Sequence, residues 1–347
     1  ESVVGGGEMM QTNSVNKHLL GGVATGIGSL PHRDAKQGAE FALRVTPELP
    51  SIPALTRRSP NESMIAMAVA GIRGIKFGQY NSPIIDVDKI DRYADVITDF
   101  DHDAYVGLRT FLEVAKGHTG PVKWQFTGPV TLGQALVRIG VPANLAFDVA
   151  VRAVRTHVQN IHDFVAAALP DSPQVVFIDE PDLAMMMHES FPIAPDTAVD
   201  LMSGALAIIE RDALMGLHCC SGIDGTPLLA AGPAILSIEV SDNVKNYAGP
   251  LAKFLESGGI IAWGVIRTDA PIMGSADRSW KQLAALWCEL VQQGCDALRL
   301  RQQSLVTPAC GLASFSEEVA EQIYAQVRDI GERVRTQALA TRLNIGA

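Results

Sequence analysis

The chain has 347 residues, of which 47% are hydrophobic and 19% charged, and this is enough apolar material for a large core and for one or two domains. A net charge of −10 without a dense Lys/Arg cluster argues against nucleic-acid binding, and no apolar run reaches the roughly 18 residues of a membrane span. Five cysteines in a chain of this length do not make a disulfide framework, so we expect a reducing, cytoplasmic location.

The first nine residues are Gly-rich, at Gly5, Gly6 and Gly7, and do not begin with methionine. They have neither the basic region nor the apolar region of a signal peptide. We interpret residues 1–9 as a remnant of cloning and not as a targeting signal. No linker, repeat or low-complexity tract divides the rest, so we interpret residues 10–347 as a single domain.

Short apolar, β-branched runs alternate with segments of helical periodicity, which is typical of a parallel sheet with crossover helices. Eight runs are predicted strands: residues 23–28, 51–55, 122–126, 175–178, 214–218, 235–239, 260–264 and 304–307. The second run is weakened by Pro50 and Pro53. Residues 70–91 are predicted to be an extended excursion, such as a hairpin. Helices are predicted at residues 143–168, 194–211, 279–294 and 316–331.

Eight such units predict an α/β fold of the (β/α)8 TIM barrel type, with an open doubly wound sheet as the alternative. The barrel is favoured because the chemically reactive residues follow the predicted strands. Barrel enzymes assemble their sites at that face from several strand ends.

Four side chains of metal-binding type fall at these strand ends. His218 and Cys220 lie two residues apart at the end of one strand, so both face the same side. Glu239 ends the next strand and Cys310 follows the last. Sulfur, nitrogen and one carboxylate together suit zinc, while the alternative is that the cysteines are core residues. The other cysteines are predicted to be structural or to face away: Cys219, Cys288 and Cys295.

Asp179 and Glu180 follow the strand predicted at residues 175–178, which places at least one carboxylate at the mouth of the fold. The local pattern leaves two interpretations open. An acidic residue here can cap a helix N-terminus, or it can accept the ammonium group of a substrate.

Two Gly-containing loops, at residues 26–32 and 127–131, follow the first and third strands. Exposed backbone N–H groups in such a loop can hold a carboxylate, although a plain turn is the alternative. The first loop lacks the third glycine of a dinucleotide-binding motif. Three histidines without an evident partner are predicted to lie at the surface or in loops: His32, His102 and His118.

Six motifs occur in a fixed order: Gly26-Ile-Gly-Ser-Leu-Pro, Thr127-Gly-Pro-Val-Thr, Ile178-Asp-Glu-Pro, His218-x-Cys220, Ser237-Ile-Glu239 and Pro308-x-Cys-Gly-Leu312. In this order they resemble the C-terminal catalytic barrel of the cobalamin-independent methionine synthase family, within the wider uroporphyrinogen-decarboxylase-like barrels. The resemblance covers about residues 23–331. Because the family's long N-terminal half has no counterpart here, the chain is most similar to the short "core" methionine synthases.

This resemblance implies a set of site residues. The implied zinc ligands are His218, Cys220, Glu239 and Cys310. The implied homocysteine-binding residues are Ile27, Gly28 and Ser29 for its carboxylate and Asp179 for its amino group. Glu62 is the candidate for a further substrate carboxylate that the family carries after the second strand.

Two departures from the family concern the methyl donor. The aromatic residue that stacks on folate has no counterpart in the Leu-Gly-Gln-Ala of residues 132–135. Asp269 stands near the place of a histidine proposed as proton donor, which makes it the candidate catalytic residue. A methyl group leaves a tertiary folate nitrogen only if that nitrogen gains a proton, whereas a methyl group on the cobalt(III) of a corrinoid needs none.

We therefore expect zinc-dependent methyl transfer to the homocysteine thiolate, giving methionine. The expected donor is methylcobalamin or another methylcorrinoid, free or carried by a corrinoid protein, and not methyltetrahydrofolate. The alternatives are transfer to another thiol such as coenzyme M, folate-dependent methionine synthesis, a metal-free decarboxylase, and a binding module without turnover.

Overall fold

A computed structural model describes residues 19, 21–78, 83–220, 224–272 and 274–344, with side chains described up to residue 336. The cloning remnant predicted at residues 1–9 lies outside this part of the chain. The strands are β1 (Val23–Ala24), β2 (Ile75–Phe77), β3 (Pro83–Ile85), β4 (Val122–Thr127), β5 (Gln174–Asp179), β6 (Leu214–Cys219), β7 (Ile235–Glu239), β8 (Ile260–Ile266) and β9 (Ser304–Pro308).

The α-helices lie between these strands and after them. They are α1 (Ala35–Val45), α2 (Met64–Val69), α3 (Val106–Val114), α4 (Pro129–Arg138), α5 (Ala143–Ala168), α6 (Pro195–Leu206), α7 (Thr226–Ala230), α8 (Ala248–Glu256), α9 (Asp277–Gln292), α10 (Ala297–Gln302) and α11 (Glu317–Asn344). Short 3₁₀ turns add Pro60–Glu62, Val87–Lys89, Asp103–Tyr105, Pro181–Met185 and Asp242–Tyr247. In the described residues no helix has the length and apolar character needed to cross a membrane.

The main sheet, within the described residues, has seven parallel strands in the order β1-β9-β8-β7-β6-β5-β4. From β4 to β9 each strand pairs with the next strand along the chain, and β9 returns to pair with β1. This order brings the first and last strands side by side. Because all the strands are parallel, the carboxyl ends of all seven lie at the same end of the sheet.

The strand predicted at residues 51–55 is wrong as a regular strand. Pro50 and Pro53 have no N–H, so neither residue can donate a hydrogen bond to a neighbouring strand. Isolated parallel bridges remain, to the loop after β1 on one side and to β4 on the other. Two of their hydrogen bonds are Ala54 N to Gly28 O (3.1 Å) and Ile52 N to Lys123 O (2.7 Å). The regular ladder is therefore a curled seven-stranded sheet that does not close into a ring.

Both faces of the sheet are buried, as expected when helices cover a parallel sheet. In β5, Val176 and Ile178 belong to the large core between sheet and helices, whereas Val175 and Phe177 belong to a smaller cluster on the opposite face. That smaller cluster gathers buried side chains from β1, β5, β6, β7, β8 and β9. β1 at one end of the sheet and β5, next to the other end, thus share one inner core, which requires the sheet to curl.

Several predicted elements are confirmed. The helix predicted at residues 143–168 is α5, with the same bounds. The predicted excursion contains the antiparallel pair β2 and β3. The closing helix α11 is longer than predicted and runs from Glu317 to Asn344. The five cysteines all lie in the described residues, and no disulfide joins any of them.

Candidate active site

The carboxyl ends of β5, β6 and β7 bring three of the candidate side chains together. Asp179 is the register partner of His218, and His218 is the register partner of Ser237, two residues before Glu239. Residues in register on neighbouring parallel strands point to the same side of the sheet. The Asp179 and His218 side chains are buried.

Cys310 joins this group from the loop after β9. Its sulfur is hydrogen-bonded to both Cys220 and His218, and these contacts lower the pKa of the Cys310 thiol. The pKa of Cys220 is raised in turn, because its thiol donates to Cys310. Of the two thiols, Cys310 is thus the one whose ionised form is favoured by its hydrogen bonds. The His218 Nδ1 lies 2.9 Å from the Ser237 hydroxyl, which orients the ring.

Glu239, the fourth implied ligand, lies at the edge of this group. Its carboxylate is 3.7 Å from the Arg267 Nε, and its pKa is raised by burial. In the described part of the chain, no three His, Cys, Asp or Glu side chains converge closely enough to hold a metal ion. The four residues are thus neighbours and do not form a complete coordination shell. Two cysteine sulfurs, an oriented imidazole and a carboxylate are nevertheless donors of the kind that zinc takes.

The loop of Ile27, Gly28 and Ser29 lies beside Cys310. Gly28 has φ of +141°, and a Cβ there would lie 2.1 Å from the Gln125 Nε2, so only glycine fits. A Cβ on Gly311 would meet the Ser29 Oγ at 2.0 Å, and Leu312 N donates to Ser29 O at 2.9 Å. The loop implied to hold a substrate carboxylate is therefore packed directly against the cysteine loop.

Asp179 and Glu180, which the sequence could not separate, have different surroundings. Glu180 accepts hydrogen bonds from Val130 N (2.9 Å) and Thr131 N (2.7 Å), at the start of α4. A Cβ on Gly128 would meet its Oε1 at 2.1 Å. Glu180 is therefore the residue that caps a helix N-terminus, and burial raises its pKa to about 7 despite those two N–H donors.

The Asp179 carboxylate faces the other way. Its Oδ1 is buried and has no hydrogen-bond partner in the structure, and burial raises its pKa to about 6. A buried acceptor without a donor costs free energy unless a ligand supplies one. Asp179 thus has the open oxygen that an ammonium-binding role needs.

A cavity of about 60 Å³ lies against Asp179 and Glu62. Its other walls are mostly apolar and include Met64, Met67, Tyr105, Leu108, Trp124 and Phe126. Glu62 accepts from Leu55 N at 2.8 Å and pairs with the Arg58 Nε at 2.5 Å. Its carboxylate already has partners within the protein, and its role toward a substrate stays a prediction.

Asp269 is an exposed residue in the loop after β8. Its two oxygens accept from the Arg267 Nε (2.9 Å) and Nη2 (2.7 Å). This bidentate contact lowers the pKa of Asp269. Asp269 is thus ionised at neutral pH and is linked to Glu239 through Arg267.

The sequence did not single out three residues that belong to this site. Ser237 orients His218, Arg267 neutralises Glu239, and Lys123 has its ammonium group buried beneath the Ile27 loop. A lysine inside the apolar run of residues 122–126 was the available signal. One of the isolated histidines, His32, lies in a loop as predicted, but it is buried and packs on Phe41 with ring centroids 4.6 Å apart.

Of three comparisons with known proteins, only the comparison with solved structures bears on the fold. No family model matches the chain, and no curated protein matches it. A solved structure described as a methyltransferase from Methanosarcina mazei is similar, with a TM-score of 0.57 and 14% sequence identity. The match covers 92% of this chain and 98% of that chain. At this identity the likeness concerns the architecture over the whole chain.

Proposed function

We propose that this protein transfers a methyl group to the thiolate of homocysteine, giving methionine, and that its methyl donor is a methylcorrinoid. The observation that carries the proposal is the Cys310 sulfur, hydrogen-bonded to Cys220 and His218, beside the unpartnered carboxylate oxygen of Asp179. A sulfur-rich group suited to zinc and an acceptor suited to an ammonium group together match an amino acid that carries a thiol.

The fold supports this proposal. The segment of residues 51–54 bridges β4 and the loop after β1, so we interpret the curled sheet as a (β/α)8 barrel whose second strand is reduced to isolated bridges. Its site then stands at the carboxyl ends of the strands, where barrel enzymes place their chemistry. The similar structure from Methanosarcina mazei is named as a methyltransferase.

We propose that His218, Cys220, Glu239 and Cys310 hold zinc. When bound, zinc supplies a Lewis acid that keeps the homocysteine thiol ionised at neutral pH. Ser237 fixes the His218 ring through Nδ1, which leaves Nε2 for the metal side. The residues of the chain align the acceptor: the Ile27–Ser29 loop takes its carboxylate and Asp179 takes its ammonium group.

The surroundings of Asp269 support a donor that needs no proton. A general acid must carry a proton at the working pH, and the Arg267 contact keeps Asp269 ionised there. A methyl group on a tertiary folate nitrogen would have no acid at this position. A methylcorrinoid releases its methyl group to a thiolate without protonation.

Residues 132–135 give a second reason. Leu132 in α4 is fully buried, and a Cβ on Gly133 would lie 2.4 Å from the Phe147 ring. This stretch serves helix packing and offers no aromatic face for a pterin. Both departures therefore favour the corrinoid donor.

The test supplies zinc-loaded protein with L-homocysteine and either methylcobalamin or methyltetrahydrofolate, and measures methionine by mass spectrometry. We expect methionine in molar excess over protein with methylcobalamin and none above background with the folate. Coenzyme M is offered as acceptor in a parallel reaction. Turnover with the folate alone would overturn the donor, and methylation of coenzyme M but not of homocysteine would overturn the acceptor.

A further inference from the structure

Lys123 is a buried cation whose hydrogen-bond partners carry no charge. Its side chain is almost completely buried, and only 3% of the residue is exposed. The Nζ donates to the Ile27 carbonyl and to the Gln125 Oε1, the latter at 3.0 Å, and lies 5.0 Å from the centre of the Phe177 ring. Burial lowers the pKa of Lys123 to about 8 while Asp179 raises it, so the group remains mostly protonated at neutral pH.

Such a residue is costly for a fold. Removing an ammonium group from water without a bonded carboxylate costs several kcal/mol by order of magnitude. The inner core below it is otherwise apolar, with Phe177 and Val175 among its members. A role in packing would be served better by methionine or leucine, so the retained charge indicates a role toward a ligand.

The Ile27 carbonyl connects Lys123 with the Ile27–Ser29 loop. This carbonyl and the Gly28 N–H belong to the same peptide group, and a cation that binds the oxygen makes the N–H a stronger donor. In the described part of the chain neither Gly28 N nor Ser29 N donates to a backbone or side-chain acceptor. The loop therefore presents two unused donors with a positive charge behind them, which is an arrangement that binds anions.

We propose that Lys123 is the positioning residue that gives the Ile27–Ser29 loop its affinity for a carboxylate, and that with Asp179 it makes the site selective for a zwitterionic α-amino acid. This inference rests on the proposed function for the identity of the acceptor. Lys123 supplies the positive side through the Ile27 peptide, and Asp179 supplies the negative side through its open Oδ1. An anionic thiol without an amine would be attracted by the Lys123 side of the site but would leave Asp179 without a partner.

Binding of three thioethers, measured by calorimetry on metal-free protein, separates the two charges. L-Methionine has both charged groups, 4-(methylthio)butanoate has only the carboxylate, and 3-(methylthio)propylamine has only the amine. For Lys123→Met we expect about 10- to 100-fold weaker binding of the first two and a change below about twofold for the amine. Asp179→Asn should weaken L-methionine and the amine and leave the carboxylate ligand unchanged.

Two controls distinguish a role of Lys123 in ligand binding from a role in the stability of the fold. Ser51→Ala removes a buried hydroxyl that lies 3.4 Å from the Gln125 Oε1, without removing a charge, and should alter none of the three affinities beyond about twofold. Lys123→Met should melt at the same temperature as the wild type or higher, because it removes a buried charge. Equal weakening of all three ligands together with a lower melting temperature would overturn the proposal.

The remaining outcomes are also decisive. A loss confined to the amine ligand would mean that Lys123 acts on Asp179, and it would overturn the role assigned to the loop. These ligands are thioethers and have no free thiol that could accept a methyl group. Because their binding also needs no zinc, the measurement does not depend on turnover. Selective binding without any methyl transfer to homocysteine would contradict the proposed function and leave the role of Lys123 intact.

Discussion

Asp179 and Glu180 are adjacent carboxylates, and their different surroundings give them different roles. Glu180 is bound by two N–H groups of α4 and completes the fold, whereas Asp179 keeps an oxygen without a donor beside the cysteine group. Both are buried, and in both cases burial raises the pKa. Hydrogen-bond satisfaction, and not burial, is therefore what distinguishes a structural carboxylate from one available to a ligand.

Cys310→Ser tests the metal group at the residue scale. A serine hydroxyl does not ionise near neutral pH and is a poor zinc ligand, so we expect bound zinc to fall from about one per chain to less than about 0.1 after dialysis. Zinc is measured by elemental analysis. Cys288→Ser is the matched control, because Cys288 is exposed in α9 and should not affect zinc content. Equimolar zinc in the Cys310 variant would show that the ligand set is wrong.

At the scale of elements, the loop after β4 and the loop after β5 depend on each other. Gly128 leaves room for the Glu180 carboxylate, and Thr131 both donates to Glu180 through its N–H and accepts from Asp182 N at 3.3 Å. The Thr127-Gly-Pro-Val-Thr motif thus binds a side chain of the neighbouring strand end. A motif that the sequence allowed as a ligand-facing loop has a packing role in this structure.

Glu180→Gln tests this connection. A glutamine side chain can accept from only one of the two α4 N–H groups, and the other is left facing an NH₂ group. We expect the free energy of unfolding to fall by about 1–3 kcal/mol, measured by chemical denaturation. Asp182→Asn is the control, because the Arg138 side chain with which it pairs is 55% exposed and the pair should contribute less than about 1 kcal/mol. Equal effects of the two variants would contradict the capping role.

For the whole molecule, the segment that joins the excursion of residues 70–91 to α3 is held against the helical layer by His157 of α5. This buried ring lies 2.9 Å from the Thr98 Oγ1 and 3.3 Å from the Tyr105 hydroxyl. Burial lowers the pKa of His157 to about 4. The neutral ring is thus favoured in the folded protein.

The pH dependence of unfolding follows from that shift. Between about pH 6.5 and pH 4 the unfolded chain binds a proton at His157 and the folded chain does not, so stability is present above this window and is lost as the pH falls through it. The loss has an upper limit of about 3 kcal/mol. Denaturation at several pH values should show a flatter profile for His157→Gln than for wild type, with exposed His188→Gln as control. Parallel profiles for wild type and His157→Gln would contradict this assignment.

The sequence by itself determined the α/β class, the positions of most strands and the helix at residues 143–168, because these depend on the local period of apolar residues. It also placed His218, Cys220, Glu239 and Cys310 at strand ends, which is a consequence of strand boundaries alone. The strand predicted at residues 51–55 was wrong as a regular strand even though the prolines that weaken it were visible.

Only the tertiary structure decided which of two adjacent carboxylates remains open and where the Lys123 ammonium group lies. Each depends on partners distant in the chain: Val130 is 50 residues from Glu180, and Ile27 is 96 residues from Lys123. The pairing of Glu239 with Arg267 likewise joins two strand ends. Periodicity reports which face of an element is buried, whereas hydrogen-bond partners are set by how the elements meet, and that information is not local.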